Sequence, residues 1–299
     1  MSKSLSSEDL LVGGSNPESS AFKTIFMFFI FHGLYLFIPL MFVVGPFLML
    51  LTSYRLFAMI CIVCYWTWVF RDGDYLKYGR PWPFFENLPF IRFVLEWLPM
   101  RILRTQELDP SKKYIFACHP HGTLAFNRAV VGFSTNTLWN QAFPGVSFRV
   151  LTARAAFFVP FIRELWLWTS CVDASREVAT KVLRDMNCSL FVYPGGEKEQ
   201  IQTEYQKHKA FLSSRKGFVR LALKEGAELV PVYAFGETDL YHHSHFALSA
   251  RKFLVEKFGV SVKFTALICR FYYVIAKNLD LESFCVCLPV DAYYWLHVM

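Results

Sequence analysis

The stretch Arg176–Glu199, REVATKVLRDMNCSLFVYPGGEKE, carries the reading of the fold. Val178, Val182 and Met186 recur at i, i+4 and i+8, which predicts a helix over Arg176–Met186 with one apolar face. Ser189–Tyr193 (SLFVY) is a short apolar run of the kind a buried strand makes, and Pro194-Gly195-Gly196 halts it. The same alternation continues downstream. Arg215–Glu225 places Phe218, Leu221 and Ala222 on one helical face, with Gly226 as its stop, and Leu229–Phe235 (LVPVYAF) predicts the next strand. Upstream, Lys113–Cys118 (KYIFAC), between Pro110 and His119-Pro120, predicts a strand, and Ser147–Leu151 a weaker one. Strand, helix and strand in repetition predict an α/β fold, a sheet flanked by helices.

The composition adds a membrane. Of 299 residues 54% are hydrophobic and 18% charged, with 32 Phe, against about 25% charged in an ordinary globular chain. This excludes disorder and a nucleic-acid module, whose basic excess sits in a polar chain. Residues 1–21 are Ser-rich, with Gly13, Gly14 and Pro17, and read as a mobile tail without the pattern of a secretory signal. Between Lys23 and Arg71 the sole charge is Arg55. About 20 apolar residues span a bilayer as a helix, so residues 22–70 predict a hairpin of Phe22–Ile38 and Phe47–Phe70, with a bend near Pro39, Gly45 and Pro46. A spanning and a re-entrant hairpin fit equally. Arg71, Lys77 and Arg80 favour the cytosol for the body that follows.

Chemistry gathers where strands end. His119-Pro120-His121-Gly122 follows one predicted strand and Gly195-Gly196-Glu197-Lys198-Glu199 another. Open α/β sheets place their sites at the carboxyl ends of strands. Imidazole titrates near neutrality, and a carboxylate beside it fixes the tautomer and supports the cation, which suits general-base activation of a hydroxyl. Gly122, with a helix expected near Thr123, would expose backbone N–H groups to a phosphate or an oxyanion. Two histidines in one turn are equally compatible with a loop of local hydrogen bonds.

HPHG (His119–Gly122), YPGGEKE (Tyr193–Glu199) and RKGFVRLALKEGAELVPVYAFGE (Arg215–Glu237), with FFVPFIR (Phe157–Arg163) and Ser175-Arg176 between them, resemble in order and spacing the type-two diacylglycerol acyltransferases and their monoacylglycerol and wax-alcohol relatives. The resemblance runs from about Tyr114 to Glu237. It implies a membrane-bound, acyl-CoA-dependent esterification of diacylglycerol to triacylglycerol, with the catalytic domain on the cytosolic face of the endoplasmic reticulum and lipid droplets as a second location. Acyl-CoA is then a co-substrate, diacylglycerol and the bilayer are partners, and no cofactor, metal or nucleic acid is expected; a homo-oligomer stays open. The implied roles are His121 as base, His119 as its alternate or structural partner, and Glu199 as the orienting acid. Gly122, Gly195 and Gly196 would hold the oxyanion, and Arg154, Arg215, Lys216 and Arg220 are candidates for the CoA phosphates. Monoacylglycerol or a fatty alcohol is the alternative acceptor, and a non-catalytic lipid- or partner-binding membrane protein is the alternative of another class.

The domain reading is a tail at 1–21, the hairpin at 22–70, an acyltransferase body at 71–258 and a divergent apolar segment at 259–299. After Phe258 the pattern falls away into a stretch containing Cys269, Cys285 and Cys287, expected to be either an altered C-terminus or a membrane-contacting tail. Tyr241-His242-His243-Ser244-His245 reads as a surface loop rather than a metal tract. The eight cysteines, Cys61-Ile-Val-Cys64 included, read as packed thiols in a reducing compartment. Cys118, at a strand end, is expected to be too buried for a nucleophile.

Overall fold

The computed structural model describes residues 10–13, 38–89, 91, 100–122, 125, 127, 128, 137–239, 249, 250, 252, 253, 257 and 284–288. Its strands are β1 Leu10–Gly13, β2 Met100–Arg104, β3 Tyr114–His119, β4 Phe148–Thr152, β5 Cys171–Asp173, β6 Ser189–Val192, β7 Glu228–Ala234 and β8 Phe284–Leu288. They form one sheet in the order β1-β2-β8-β7-β3-β6-β4-β5. The five from β7 to β5 run parallel, with Ile115 opposite both Leu190 and Leu229, and Val150 opposite Phe191. β8 joins antiparallel to β7 and parallel to β2. The segment after residue 258, which showed no periodicity, thus contributes a strand.

The parallel core is buried on both faces, which is why β3 and β6 read as unbroken apolar runs. Alternation along β3 sends Ile115 and Ala117 to one side and Phe116 and Cys118 to the other. The first side packs under two helices, Arg176–Asp185 and Gly217–Glu225, through Val178, Val182, Leu221 and Ala222. Ser175 caps the former by accepting the Val178 N–H at 3.4 Å, and Gly226, at φ +64°, ends the latter in the left-handed conformation. Against the second side pack aromatics, Trp139, Phe143, Phe148 and Phe191 among them; Trp139 keeps its ring N–H satisfied by donating to the Val146 carbonyl at 2.8 Å.

Before the sheet come the apolar helices α1, Ile38–Leu50, and α2, Arg55–Arg71. Arg55–Leu76 is, among the described residues, the one helical stretch long and apolar enough to cross a bilayer by length and composition. The expected first leg, Phe22–Ile38, lies outside the described residues except for Ile38. The expected second leg, Phe47–Phe70, is not continuous, because the chain turns at Leu51–Tyr54. Thr52 explains the break: its hydroxyl donates to the Met49 carbonyl at 2.7 Å and accepts the Tyr54 N–H at 3.2 Å, competing with the helical ladder. Pro46 sits inside α1 rather than in the turn. Met41 and Phe47 on α1, Leu51 in the turn, and Leu56, Phe57 and Val63 on α2 are exposed, apolar side chains of the kind a lipid or protein partner covers.

A buried ion cluster joins α2 to the sheet domain. The side chain of Arg163 is wholly buried, meets Asp72 at 2.5 Å and Glu164 at 2.9 Å, and stacks 4.8 Å above the Trp68 ring. Arg80 adds a contact to Asp72 at 3.0 Å. Arg163→Met leaves Asp72 short of its closest counter-charge in a largely buried site, a change that costs about 3 kcal/mol or more. Thermal unfolding of the detergent-solubilised chain should show a clearly lowered midpoint; an unchanged midpoint would mean that the cluster ties nothing together.

Candidate active site

The carboxyl ends of β3 and β6 are neighbours in the sheet, so His119, the last residue of β3, lies beside the Tyr193–Gly196 turn. Out of that turn rises a short helix, Gly196–Gln202, which carries Glu199 back toward the strand end. Glu199 is 3% exposed and its carboxylate is fully engaged. Oε2 lies 3.0 Å from His119 Nδ1 and accepts the Phe211 N–H at 3.0 Å, while Oε1 accepts the His121 N–H at 2.5 Å. Burial alone would raise the pKa of this carboxyl. The hydrogen bond and charge of His119, with the Phe211 and His121 amides, outweigh it and hold the pKa below the ordinary glutamate value, so Glu199 stays ionised.

The turn is glycine for a steric reason. A Cβ on Gly195 would stand 2.0 Å from Glu199 Oε2, and Gly196 has φ +53°. The Gly196 N–H donates to the Tyr193 carbonyl at 3.0 Å, so it closes the turn rather than facing a substrate. Gly122, at φ +64°, is equally constrained, because a Cβ on it would fall 2.3 Å from Glu237 Cγ. Thr123, where a helix was expected to begin, lies outside the described residues.

The two histidines differ. The sequence reading gave Glu199 to the His121 ring; in the structure the carboxylate meets the ring of His119 and takes the backbone N–H of His121. The reason is directional: His119 is still in the strand, facing the helix that carries Glu199, whereas His121 lies past Pro120 in the turn. His119 is 2% exposed, and a proton on its Nδ1, facing the carboxylate, leaves the lone pair on Nε2. His121 is half-buried, with Nδ1 3.2 Å from the Gly122 carbonyl and its ring 5.0 Å from that of Tyr193. Cys118 is buried, and burial first, then the charges of Glu237 and Glu199, push its thiol well above the ordinary range, which removes it as a nucleophile.

The four basic candidates separate. Arg154 is held by buried Asp173 through two contacts, 3.2 and 2.8 Å. Arg215 packs on the Phe211 ring at 5.9 Å, one residue removed from Glu199. Lys216 and Arg220 are exposed at the start of the Gly217–Glu225 helix and are not brought to the dyad. Sequence reasoning passed over Arg128, whose guanidinium lies 3.5 Å above the Trp166 ring, and it gave no role to Asn127 or Glu237, both buried at this edge. Among the described residues no group of three or more His, Cys, Asp or Glu side chains is arranged for a metal. The histidine tract at 241–245 lies outside them.

The diacylglycerol acyltransferase family model matches residues 48–275, from the apolar helices past Phe258, where the sequence pattern falls away. The chain belongs to the diacylglycerol acyltransferase family. It is 30% identical over 206 residues to diacylglycerol O-acyltransferase 2-like protein 6 of Mus musculus, covering 68% of this chain and 60% of that one. Acyl-CoA wax alcohol acyltransferase 2 of Mus musculus is 32% identical over 205 residues, 67% of this chain and 60% of that one. For 2-acylglycerol O-acyltransferase 3 of Homo sapiens the figures are 31% over 221 residues, 72% and 64%. The chain thus spans about three fifths of the length of these relatives. No solved structure matches it.

Two outcomes follow from the site geometry. Gly195→Ala must displace Glu199 by an ångström or more, and misplacement on that scale costs about 100-fold in turnover; wild-type turnover in this variant would refute the packing. Because the folded pKa of Glu199 lies below its ordinary value, the stability it contributes is complete above about pH 4.5 and is lost as the pH falls through the folded value. Glu199→Gln should therefore flatten that acid limb of the unfolding profile, and a limb left unchanged would mean that Glu199 does not produce it.

Proposed function

We propose that the chain transfers an acyl group from acyl-CoA to the free hydroxyl of diacylglycerol, forming triacylglycerol, with the sheet domain on the cytosolic face of the endoplasmic reticulum membrane and lipid droplets as a second location. The observation that carries this reading is the buried His119–Glu199 pair, 3.0 Å apart, at the carboxyl edge of the parallel sheet. The exposed apolar helices α1 and α2, fixed to the sheet domain through Arg163 and Asp72, support delivery of a lipid acceptor from a bilayer. The net charge of +7 suits an anionic donor and an anionic surface.

In this mechanism His119 is the base. As the acceptor oxygen bonds to the thioester carbonyl carbon, its proton passes to His119 Nε2. The resulting imidazolium faces the ionised carboxylate of Glu199, which fixes its tautomer and offsets its charge. When the tetrahedral intermediate collapses the carbon–sulfur bond breaks, and the CoA thiolate leaves and takes up the proton. His121, tied to the same carboxylate by its N–H, forms the more open wall of the site. Arg215 is the basic candidate best placed for the donor's phosphates. The chemistry needs only an acceptor hydroxyl, so the 2-acylglycerol and wax-alcohol acyltransferases among the relatives make monoacylglycerol and fatty alcohol the other acceptors to offer.

The test is acyl transfer from labelled oleoyl-CoA in membranes of a host without neutral-lipid synthesis. Diacylglycerol, monoacylglycerol and fatty alcohol are supplied separately, with His119→Ala and His121→Ala in parallel. Label should enter triacylglycerol, and His119→Ala should reduce it by about 100-fold to 10,000-fold, the usual worth of a general base. A larger loss in His121→Ala would move the base to that residue. Label in a different ester would replace the acceptor, and no ester at all from folded protein would sink the enzymatic reading in favour of a binding role.

A further inference from the structure

A second buried carboxylate reaches the histidine turn from another element. Glu237, just beyond β7, is 2% exposed. Its Oε2 accepts two hydrogen bonds from Asn127, one from the backbone N–H and one from the side-chain Nδ2, each 2.9 Å. Asn127 is wholly buried, and its Oδ1 accepts the Tyr193 hydroxyl at 2.6 Å. The Tyr193 ring in turn packs against the His121 ring, 5.0 Å between centroids at 54°. Burial pushes the Tyr193 phenol well above its ordinary pKa, so it keeps the proton it donates. Each link fixes the next: with Tyr193 donating to Oδ1, Asn127 has its amide hydrogens to give, and Glu237 Oε2 accepts one of them. Glu237 also presses on the turn itself, leaving no room for a Cβ at Gly122.

A buried carboxylate is costly unless hydrogen-bonded. An apolar side chain would fill the same space without that cost, so the use of Glu237 lies in the donors it gathers. We propose that Glu237 is a positioning residue of the acyl-transfer site, holding the His121 ring through Asn127 and Tyr193 and holding the His119–Gly122 turn by direct contact. This rests on the acyl-transfer reading above. Glu199 grips the turn from the β6 side of the sheet and meets a ring; Glu237 grips it from the β7 side and reaches the His121 ring through other residues.

The experiment compares the full chain in membranes with Glu237→Ala, Glu237→Gln, Tyr193→Phe and the Glu237→Ala/Tyr193→Phe double variant. It reads kcat, KM for oleoyl-CoA, and the rate at which diethyl pyrocarbonate modifies His121, followed by peptide mass. Glu237→Ala should lower kcat by about 10-fold to 100-fold, as removal of a supporting shell does, with KM little changed. Glu237→Gln, whose amide oxygen can still accept from Asn127, should restore most of the loss. The double variant should be little worse than Glu237→Ala, because both changes break one chain of contacts. His121 should be modified several-fold faster once its ring is released.

Unchanged kcat and modification rate in Glu237→Ala would overturn the proposal, and so would losses that multiply in the double variant. If Glu237→Ala does not fold, Tyr193→Phe decides, since it deletes a single oxygen; wild-type kcat and modification rate in that variant would overturn the brace. If the wild-type chain makes no ester, the acyl-transfer reading fails separately, and the modification rates still test whether Glu237 holds the ring.

Discussion

An ionised carboxylate buried in protein survives only where donors surround it, and the site depends on Glu199 meeting that condition. Its neighbours come from three places: the His119 ring at a strand end, the His121 amide in the following turn, and the Phe211 amide from a loop that folds back. Each imposes a local demand. The helix must begin immediately after the turn so that Glu199 points back at β3, and residue 195 must lack a Cβ because the carboxylate fills that space. The ordinary burial cost is then reversed, and Glu199 is held ionised where it can support a developing imidazolium.

The apolar helices pose a different problem, because the proposed transfer to a lipid acceptor needs the strand edge and the apolar surface kept in fixed relation. Arg163 supplies the connection. Its guanidinium is stacked on Trp68 of α2 and paired with Asp72, the residue that ends that helix. A planar cation can do both at once, offering one face to the indole and its edge to the carboxylate. Arg80 then shares Asp72, so the helix end is gripped from two directions.

The fold was legible where burial was complete. β3 and β6 were read as strands because burial on both faces makes their sequences continuous apolar runs, β7 because its Leu229–Phe235 stretch is apolar although only alternate residues are buried, and the helices at Arg176–Asp185 and Gly217–Glu225 because one face alone is apolar. β5 is three residues long, β2 carries Arg101 and Arg104, and β8 lies in a stretch with no period, so periodicity had nothing to act on. The turn at Leu51–Tyr54 was missed because proline and glycine drew attention to residues 39–46, while the break is made by one threonine hydroxyl. At the site, strand ends identified His119, His121 and Glu199, but spacing could not say which ring faces the helix. That choice belongs to the direction of a side chain leaving β3. The same strand-end rule reaches Glu237, three residues past the end of β7, and applying it to every parallel strand would have brought this residue in.

Two carboxylates at one histidine turn divide the work that a single one could not do. A base must be oriented by a group that also responds to its change of charge, which calls for direct contact with the ring, as between Glu199 and His119. The turn around that base must stay still while the charge changes, which calls for contacts that do not titrate. The amide of Asn127 and the protonated phenol of Tyr193 meet that need, and Glu237 anchors both through the hydrogens of Asn127. Placing the charge response on the β6 side and the fixed brace on the β7 side lets the strand between them, β3, carry His119, the base of the proposed transfer, at its end. The parallel order β7-β3-β6 is thus a chemical arrangement as well as a topological one.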